Sequence, residues 1–216
     1  SEGLPNYLFF QNKLGYNFVS ISTLLKQDSL FDVNFSAKNL NSSVANEIVG
    51  ARDVRTSQQH NLIENIEFPF QVKKKPVNHD LINELLEVAG LKGFENSYPG
   101  ELSGGMKQRG SIVRALAQDP EVLLMDEPFG ALDAFTREEM NLFLLKVWER
   151  TKKTIVFVTH SIAEAIFLAD RIWVMSPRPG RLSRVVDVNF SRPRHIDLQF
   201  EPEFIEILKS IREEVE

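Results

Sequence analysis

The spacing of apolar residues changes along this chain, and the changes divide it. Up to about residue 60, apolar clusters at Tyr7 to Phe10, Phe18 to Leu25 and Leu30 to Phe35 interrupt a background rich in Asn and Ser, a pattern of short strands and turns. From Asp80 the sequence DLINELLEVAGL puts Leu81, Leu85 and Leu86 on one face at helical spacing, and Gly90 is placed to end the helix. Ser103 then precedes two glycines and a stretch from Met106 to Ala117 in which Ile112, Val113 and Leu116 share a side. This predicts an N-capped helix. The nearly unbroken apolar run Val122 to Met125 predicts a buried strand of a mainly parallel sheet. A helix over Arg137 to Thr151 and a strand over Thr154 to Thr159 follow, and strand, helix, strand is the crossover unit of a parallel sheet. The alternation continues with a helix Ile162 to Ala169, a strand Arg171 to Met175, a turn at Pro177 to Gly180 and an amphipathic helix from Glu203 to the last residue. Lys73 to Lys75 reads as a solvated loop, and the chain contains no internal repeat.

Composition narrows the classes. With 216 residues, 43% of them hydrophobic and 25% charged, the chain can bury one sizeable core. It has no cysteine, which removes disulfides, thiolate metal sites and a cysteine nucleophile, and fits a reducing compartment. The net charge of -5 arises from interspersed acids and bases, without the basic stripe that nucleic acid would call for. No run of about 18 uncharged apolar residues is present, and the first residues do not follow the order of a signal peptide. Work at a membrane would need another subunit to span it.

Three places carry candidate chemistry. Asp126 and Glu127 close a buried strand, and the C-terminal edge of an open α/β sheet is where such folds bind their ligands. Taken alone, the pair reads equally well as a helix cap. Ser103, Gly104 and Gly105 open a helix whose unpaired N–H groups and positive dipole end favour phosphate. An isolated SGG is an ordinary turn. His160 stands directly after a strand, where a lone histidine is more often structural.

Their order settles the choice. LSGGMKQR (Leu102 to Arg109), VLLMDEP (Val122 to Pro128), GALDA and VTH follow one another, and together they resemble the ATP-binding cassette ATPase of a membrane transporter. LSGGM resembles the family's signature motif, LLMDEP its Walker B strand, Ala131-Leu132-Asp133 its D-loop and Thr159-His160 its switch histidine. The flanking text, YPGELSGGMKQR, DEPFGALDAFTR, THSIAEAIFLADR and VMSPRPGR, is similar to importers of nitrate, sulfonate, taurine and bicarbonate. The likeness is close from about Ile63 to Arg194.

The resemblance implies an α/β, P-loop NTPase-like fold with a mainly parallel sheet, flanking helices and an inserted helical subdomain, the N-terminal part being diverged or truncated. It implies ATP and Mg2+ as ligands, with Asp126 holding the metal and Glu127 polarising the water that attacks the γ-phosphate. His160 would contact that phosphate. Ser103, Gly104, Gly105 and Gln108 would grip a nucleotide held by a second cassette in a head-to-tail dimer, and Asp133 would lie at the same interface. For Asp133 an ordinary helix N-cap is the other reading.

The phosphate loop departs from the pattern. No G-x-x-x-x-G-K-S/T string occurs, and the family's spacing lands on GYNFVSISTLLK, Gly15 to Lys26. Gly15, Ser22 and Thr23 agree with the motif as nucleotide ligands, Ser22 also as a metal ligand. Phe18, Ser20 and Ile21 do not agree, and Ile21 stands in the lysine position. Gln58 is the candidate for the metal- and phosphate-sensing glutamine, with Gln59 as its rival and a polar surface loop as the plain alternative. Only 14 residues precede Gly15, and the adenine-stacking residue is unassigned, Tyr7 being the nearest aromatic. Residues 1–60 read as a diverged half-domain, an unrelated segment or the relic of a damaged reading frame.

These expectations amount to a single cassette domain over 1–216, divided into 1–60 as the diverged part of the core, about 61–113 as the helical subdomain, about 114–190 as the rest of the α/β core and 191–216 as a tail helix. Its function would be that of a cytoplasmic ATPase subunit, peripheral on the inner face of the membrane. Its partners would be a transmembrane permease, a second cassette and, indirectly, a substrate-binding protein, with no nucleic acid. Phe68, Pro69 and Phe70 would line the groove that receives the permease, two Phe in a helical subdomain being more often core. The alternatives are a non-hydrolysing cassette that lends its signature motif to a partner, and a fragment that never assembles.

Overall fold

The computed structural model describes residues 7–11, 17–18, 48–50, 58–176 and 180–215, the first three stretches as backbone only. Gly15, Ser22, Thr23, the cluster at Leu30 to Phe35 and most of Pro177 to Gly180 lie outside the described residues.

Strands β1 (Tyr7–Gln11), β2 (Asn17–Phe18), β3 (Ile48–Gly50), β4 (Val122–Asp126), β5 (Thr154–Thr159), β6 (Arg171–Met175) and β7 (Leu182–Asp187) form one sheet in the order β3-β4-β5-β1-β6-β7, with β2 paired to β1. β3, β4 and β5 are parallel neighbours, and Asp126 is opposite Val158 at the end of the ladder. β1 lies antiparallel between β5 and β6, and β7 is antiparallel to β6. The parallel half of this mixed sheet therefore carries the Asp-Glu pair and the histidine side by side. All six residues of β5 are buried, which is why that strand reads as an unbroken apolar run.

Helix α1 (Leu62–Lys73) begins with a capping box: the Asn61 side chain accepts from the Glu64 amide at 2.9 Å, and Glu64 Oε2 accepts from the Asn61 amide at 2.9 Å. It runs through Pro69 and ends at Lys74 in the left-handed region, so Lys73 is helical rather than part of a loop. Phe70 is 7% exposed and belongs to the core, whereas Phe68 is 43% exposed beside the His60 ring. Of the expected groove residues, Phe70 is thus withdrawn, because its ring faces inward; a charge there would damage the fold. Helix α2 (His79–Val88) buries Ile82, Leu85 and Leu86, with Leu81 only half-buried at the margin of that face. Gly90, at φ 62, turns the chain away as expected.

Both α1 and α2 pack on α3 (Gly104–Ala117). A Cβ on Gly110 would lie 2.8 Å from Leu62 Cδ1, so a residue without a side chain permits the close approach of α1 to α3. Gly110→Val should lower stability by about 1–3 kcal/mol through overpacking of this seam. Urea denaturation tests this, and a variant as stable as the parent would show that the seam has room.

Helix α4 (Ala134–Thr151) joins β4 to β5 and starts three residues before the predicted Arg137, because Asp133 caps it. After β5 come α5 (Ile162–Leu168) and, past β7, α6 (Pro202–Val215). A segment between β7 and α6 is fastened to the C-terminal end of α5 by two arginines. Arg192 Nη2 donates to Leu168 O and to Asp170 Oδ1, each at 2.8 Å, and its guanidinium lies 4.2 Å from the Trp148 ring centre. Arg194, with its side chain fully enclosed, donates to the carbonyls of Ile166, Phe167 and Ala169 at 3.3, 2.9 and 2.8 Å, and to Phe190 O at 3.3 Å. The carbonyls of Ile166, Phe167 and Ala169 lie at the end of α5, where a helix leaves such groups unpaired.

Candidate nucleotide site

The Asp-Glu pair is placed by the register of β4 on β5. Asp126 is the last residue of β4, and the Glu127 amide extends the ladder by donating to Val158 O at 3.0 Å. Glu127 then takes a left-handed conformation, φ 45, and the chain turns through Gly130 N to Glu127 O at 3.1 Å and Leu132 N to Phe129 O at 3.1 Å. Phe129 anchors the turn by packing on Phe157, with ring centres 5.4 Å apart. The outcome is that Glu127 Oε1 meets His160 Nε2 at 2.5 Å, both side chains about two-fifths exposed (40% and 42%). An acceptor and a ring nitrogen thus face solvent together at the C-terminal edge of the sheet.

The segment around His160 is held from beneath. Thr159 Oγ1 donates to Glu164 Oε2 and accepts from the Ser161 amide at 3.0 Å, while Ser161 Oγ accepts from the Glu164 amide at 3.2 Å. Glu164 is buried, which pushes its carboxyl above the ordinary range despite the Thr159 hydroxyl and the charge of Arg137.

The second cluster lies at the start of α3. Ser103 Oγ accepts from the Met106 amide at 3.2 Å, leaving the first amides of α3 directed outward. Gly104 is exposed, with open space where a Cβ would sit. Gly105 is buried, and a Cβ there would lie 3.0 Å from Thr136 Cγ2. Thr136 in turn gives its amide to Asp133 Oδ1 at 3.0 Å and its hydroxyl to Asp133 Oδ2 at 2.7 Å. These bonds, the hydroxyl's first, hold the Asp133 carboxyl below its usual range. Asp133 is therefore an N-cap, and the Thr136 that it holds is the residue against Gly105. Gln108 is half-buried on α3, and Arg109 Nη1 donates to Ala89 O at 3.0 Å, closing the end of α2.

Asp126, Glu127 and His160 are thus brought together, as are Ser103, Gly104, Gly105 and Asp133. Gln58 stands exposed in the turn before α1 and makes no hydrogen bond or ion pair with either carboxylate among the described residues. Sequence reasoning passed over Thr136, Arg137 and Glu164. Only Glu164 carried a signal, as the single charge in the apolar run IAEAIFL.

Carboxylates at the mouth of a parallel β-α-β unit place the chain among the α/β folds that bind their ligands at the C-terminal edge of the sheet. Residues 19–130 match the ABC transporter family model, and the chain belongs to that family. It is 51% identical over 144 residues to the aliphatic sulfonates import ATP-binding protein SsuB of Bacillus thuringiensis, a match covering 64% of this chain and 57% of that protein. It is 49% identical over 135 residues to the taurine import ATP-binding protein TauB of Rhizobium johnstonii, covering 60% of this chain and 51% of that one. The chain therefore spans about half the length of the curated relatives it matches. Among solved structures, the ATP-binding cassette MJ0796, in a dimeric post-hydrolysis state bound to ADP and Pi, superimposes with a TM-score of 0.53 at 28% identity, covering 82% of this chain and 75% of that one.

Proposed function

We propose that this chain is the ATP-hydrolysing subunit of an importer for small sulfur-containing or oxyanion solutes such as sulfonate or taurine, paired with a second cassette and docked on a permease at the membrane. The observation that carries the reading is the Glu127 to His160 contact at 2.5 Å, one residue beyond Asp126 on the sheet's ligand edge. Glu127 would take the proton of the attacking water, and His160, bound to the same carboxylate, would fix its direction and face the γ-phosphate. Ser103, Gly104, Gly105 and Gln108 would receive the nucleotide of the partner cassette, with Asp133 beside them. Gln58, Gly15, Ser22 and Thr23 are proposed to complete the chain's own site, and the whole of 1–216 to form one cassette with its helical subdomain at about 61–113.

The donor set suits Mg2+, a hard ion that uses one or two carboxylates and takes its remaining oxygens from water and phosphate. Asp126 would hold it, with Ser22 and Gln58 as further ligands. When bound, the ion supplies positive charge opposite the phosphate oxygens. Among the described residues no helix is long and apolar enough to cross a membrane, so attachment would run through the permease, at the surface around exposed Phe68.

Ile21 in the lysine position supports a second reading, in which the chain's own loop binds nucleotide weakly and its main part is to complete a partner's site with LSGGM. Calorimetry with Mg-ATP on the purified chain, followed by phosphate release, tests the first reading. Saturable binding with turnover is expected. A folded chain that binds no Mg-ATP would overturn the hydrolytic role and leave the signature donor.

A further inference from the structure

Gly105 is the second residue of α3 and Thr136 the third of α4, and at these two residues the helices meet. A Cβ on Gly105 would lie 3.0 Å from Thr136 Cγ2, closer than a methyl group packs, so a side chain fits there only if Thr136 turns away. Thr136 is held against turning. Its hydroxyl donates to Asp133 Oδ2 at 2.7 Å, and rotation about χ1 breaks that bond. Asp133 thus fixes the direction of the Thr136 methyl, and the methyl fixes how near α3 can come. The Asp133 loop is tied in turn to Glu127: Gly130 N donates to Glu127 O and Leu132 N to Phe129 O, each at 3.1 Å, and Leu132 O accepts from Arg137 Nη2 at 3.0 Å. Gly104, one residue away, has open space where a Cβ would sit, so the close fit belongs to Gly105 and not to the helix start as a whole.

We propose that Thr136 is a positioning residue that seats the outward-facing amides of α3 against the loop running from Glu127 to Asp133, with Gly105 as the seat and the Asp133 to Thr136 hydrogen bond as its lock. The helix start and the loop then keep one spacing and shift together. What this does for turnover rests on the ATPase reading above, because there the helix start receives the partner's phosphate while the loop follows the catalytic carboxylate. The locked seat itself does not depend on that reading.

The test is to make Gly105→Ala in three backgrounds, the parent, Thr136→Ser and Asp133→Ala, and to read the folded-to-unfolded ratio from urea denaturation as mutant cycles. In the parent, Gly105→Ala should lower the ratio about tenfold, because the added methyl overpacks the seat. Thr136→Ser keeps the hydroxyl and its bond but removes the methyl. In that background the same change should cost nothing and gain up to about fivefold, the preference of a helix for alanine over glycine. Asp133→Ala leaves the Thr136 methyl in place and only frees it to turn, so there too the cost should fall to within about threefold. Gly104→Ala, where space is open, is the control and should behave alike in all three. If Gly105→Ala costs the same in every background, the proposal is overturned. Relief by Thr136→Ser without relief by Asp133→Ala also overturns it, since the methyl would then fill space without being locked; should Asp133→Ala fail to fold, Asp133→Asn takes its place. Under turnover Gly105→Ala should lower kcat about tenfold with KM near the parent's, and adding Thr136→Ser should restore it. Turnover that stays low in both backgrounds overturns the positioning role. A parent chain with no turnover defeats the ATPase reading alone, since the urea comparison stands without it.

Discussion

Arg194→Met is expected to lower the free energy of unfolding by about 3–5 kcal/mol, the scale seen when one member of a buried charged network is removed. The side chain is fully enclosed, and burial pulls its pKa down only to about 9, so it is a cation at neutral pH. Its compensation is a cage of carbonyls: those of Ile166, Phe167 and Ala169 accept from Nη1, and Phe190 O from Nη2. Methionine fills part of the space and leaves those oxygens, with Asp170, facing an apolar group. Arg192→Met should cost less, because Arg192 retains 15% exposure and part of its contact is to the face of Trp148. Urea unfolding of the two variants beside the parent measures both. An Arg194→Met protein within 1 kcal/mol of the parent would mean that the end of α5 is satisfied by other means.

Glu127→Gln should reduce ATP turnover by about 100 to 10,000-fold while leaving Mg-ATP binding in place. The amide keeps the shape and an oxygen for the His160 contact, but it cannot accept the proton of the attacking water. Asp126, which is proposed to hold the metal, is untouched. The comparison is therefore between unchanged calorimetric affinity and lost phosphate release. Equal turnover by the parent and the variant would move the base to another group and undo the assignment of Glu127.

The parts legible in the sequence are those set by local pattern. The burial of β5 on both faces, the capped start of α3 at Ser103 and the placement of Asp126 at a strand end all follow from residues adjacent in the chain. Helix α1 was hidden because Pro69 interrupts it and its buried side includes Asn65, which breaks the apolar period. Strand β7 was hidden because five of its six residues are exposed, so no buried face marks it. At the candidate site, the motifs named residues but not the contacts those residues make. Gly105 looked like a concession to phosphate and is also a seat for Thr136. The Arg109 of the same motif closes the end of α2, a role that depends on a helix ending 20 residues earlier. Contacts of that kind arise only when the helices are assembled.

Glu127 holds a left-handed backbone conformation, φ 45, that a side-chain-bearing residue adopts at a cost of about 1–3 kcal/mol and that glycine adopts freely. Selection for thermal robustness alone would therefore be drawn to this position. The hardier protein it returned would carry glycine there, and nothing would remain for His160 to face.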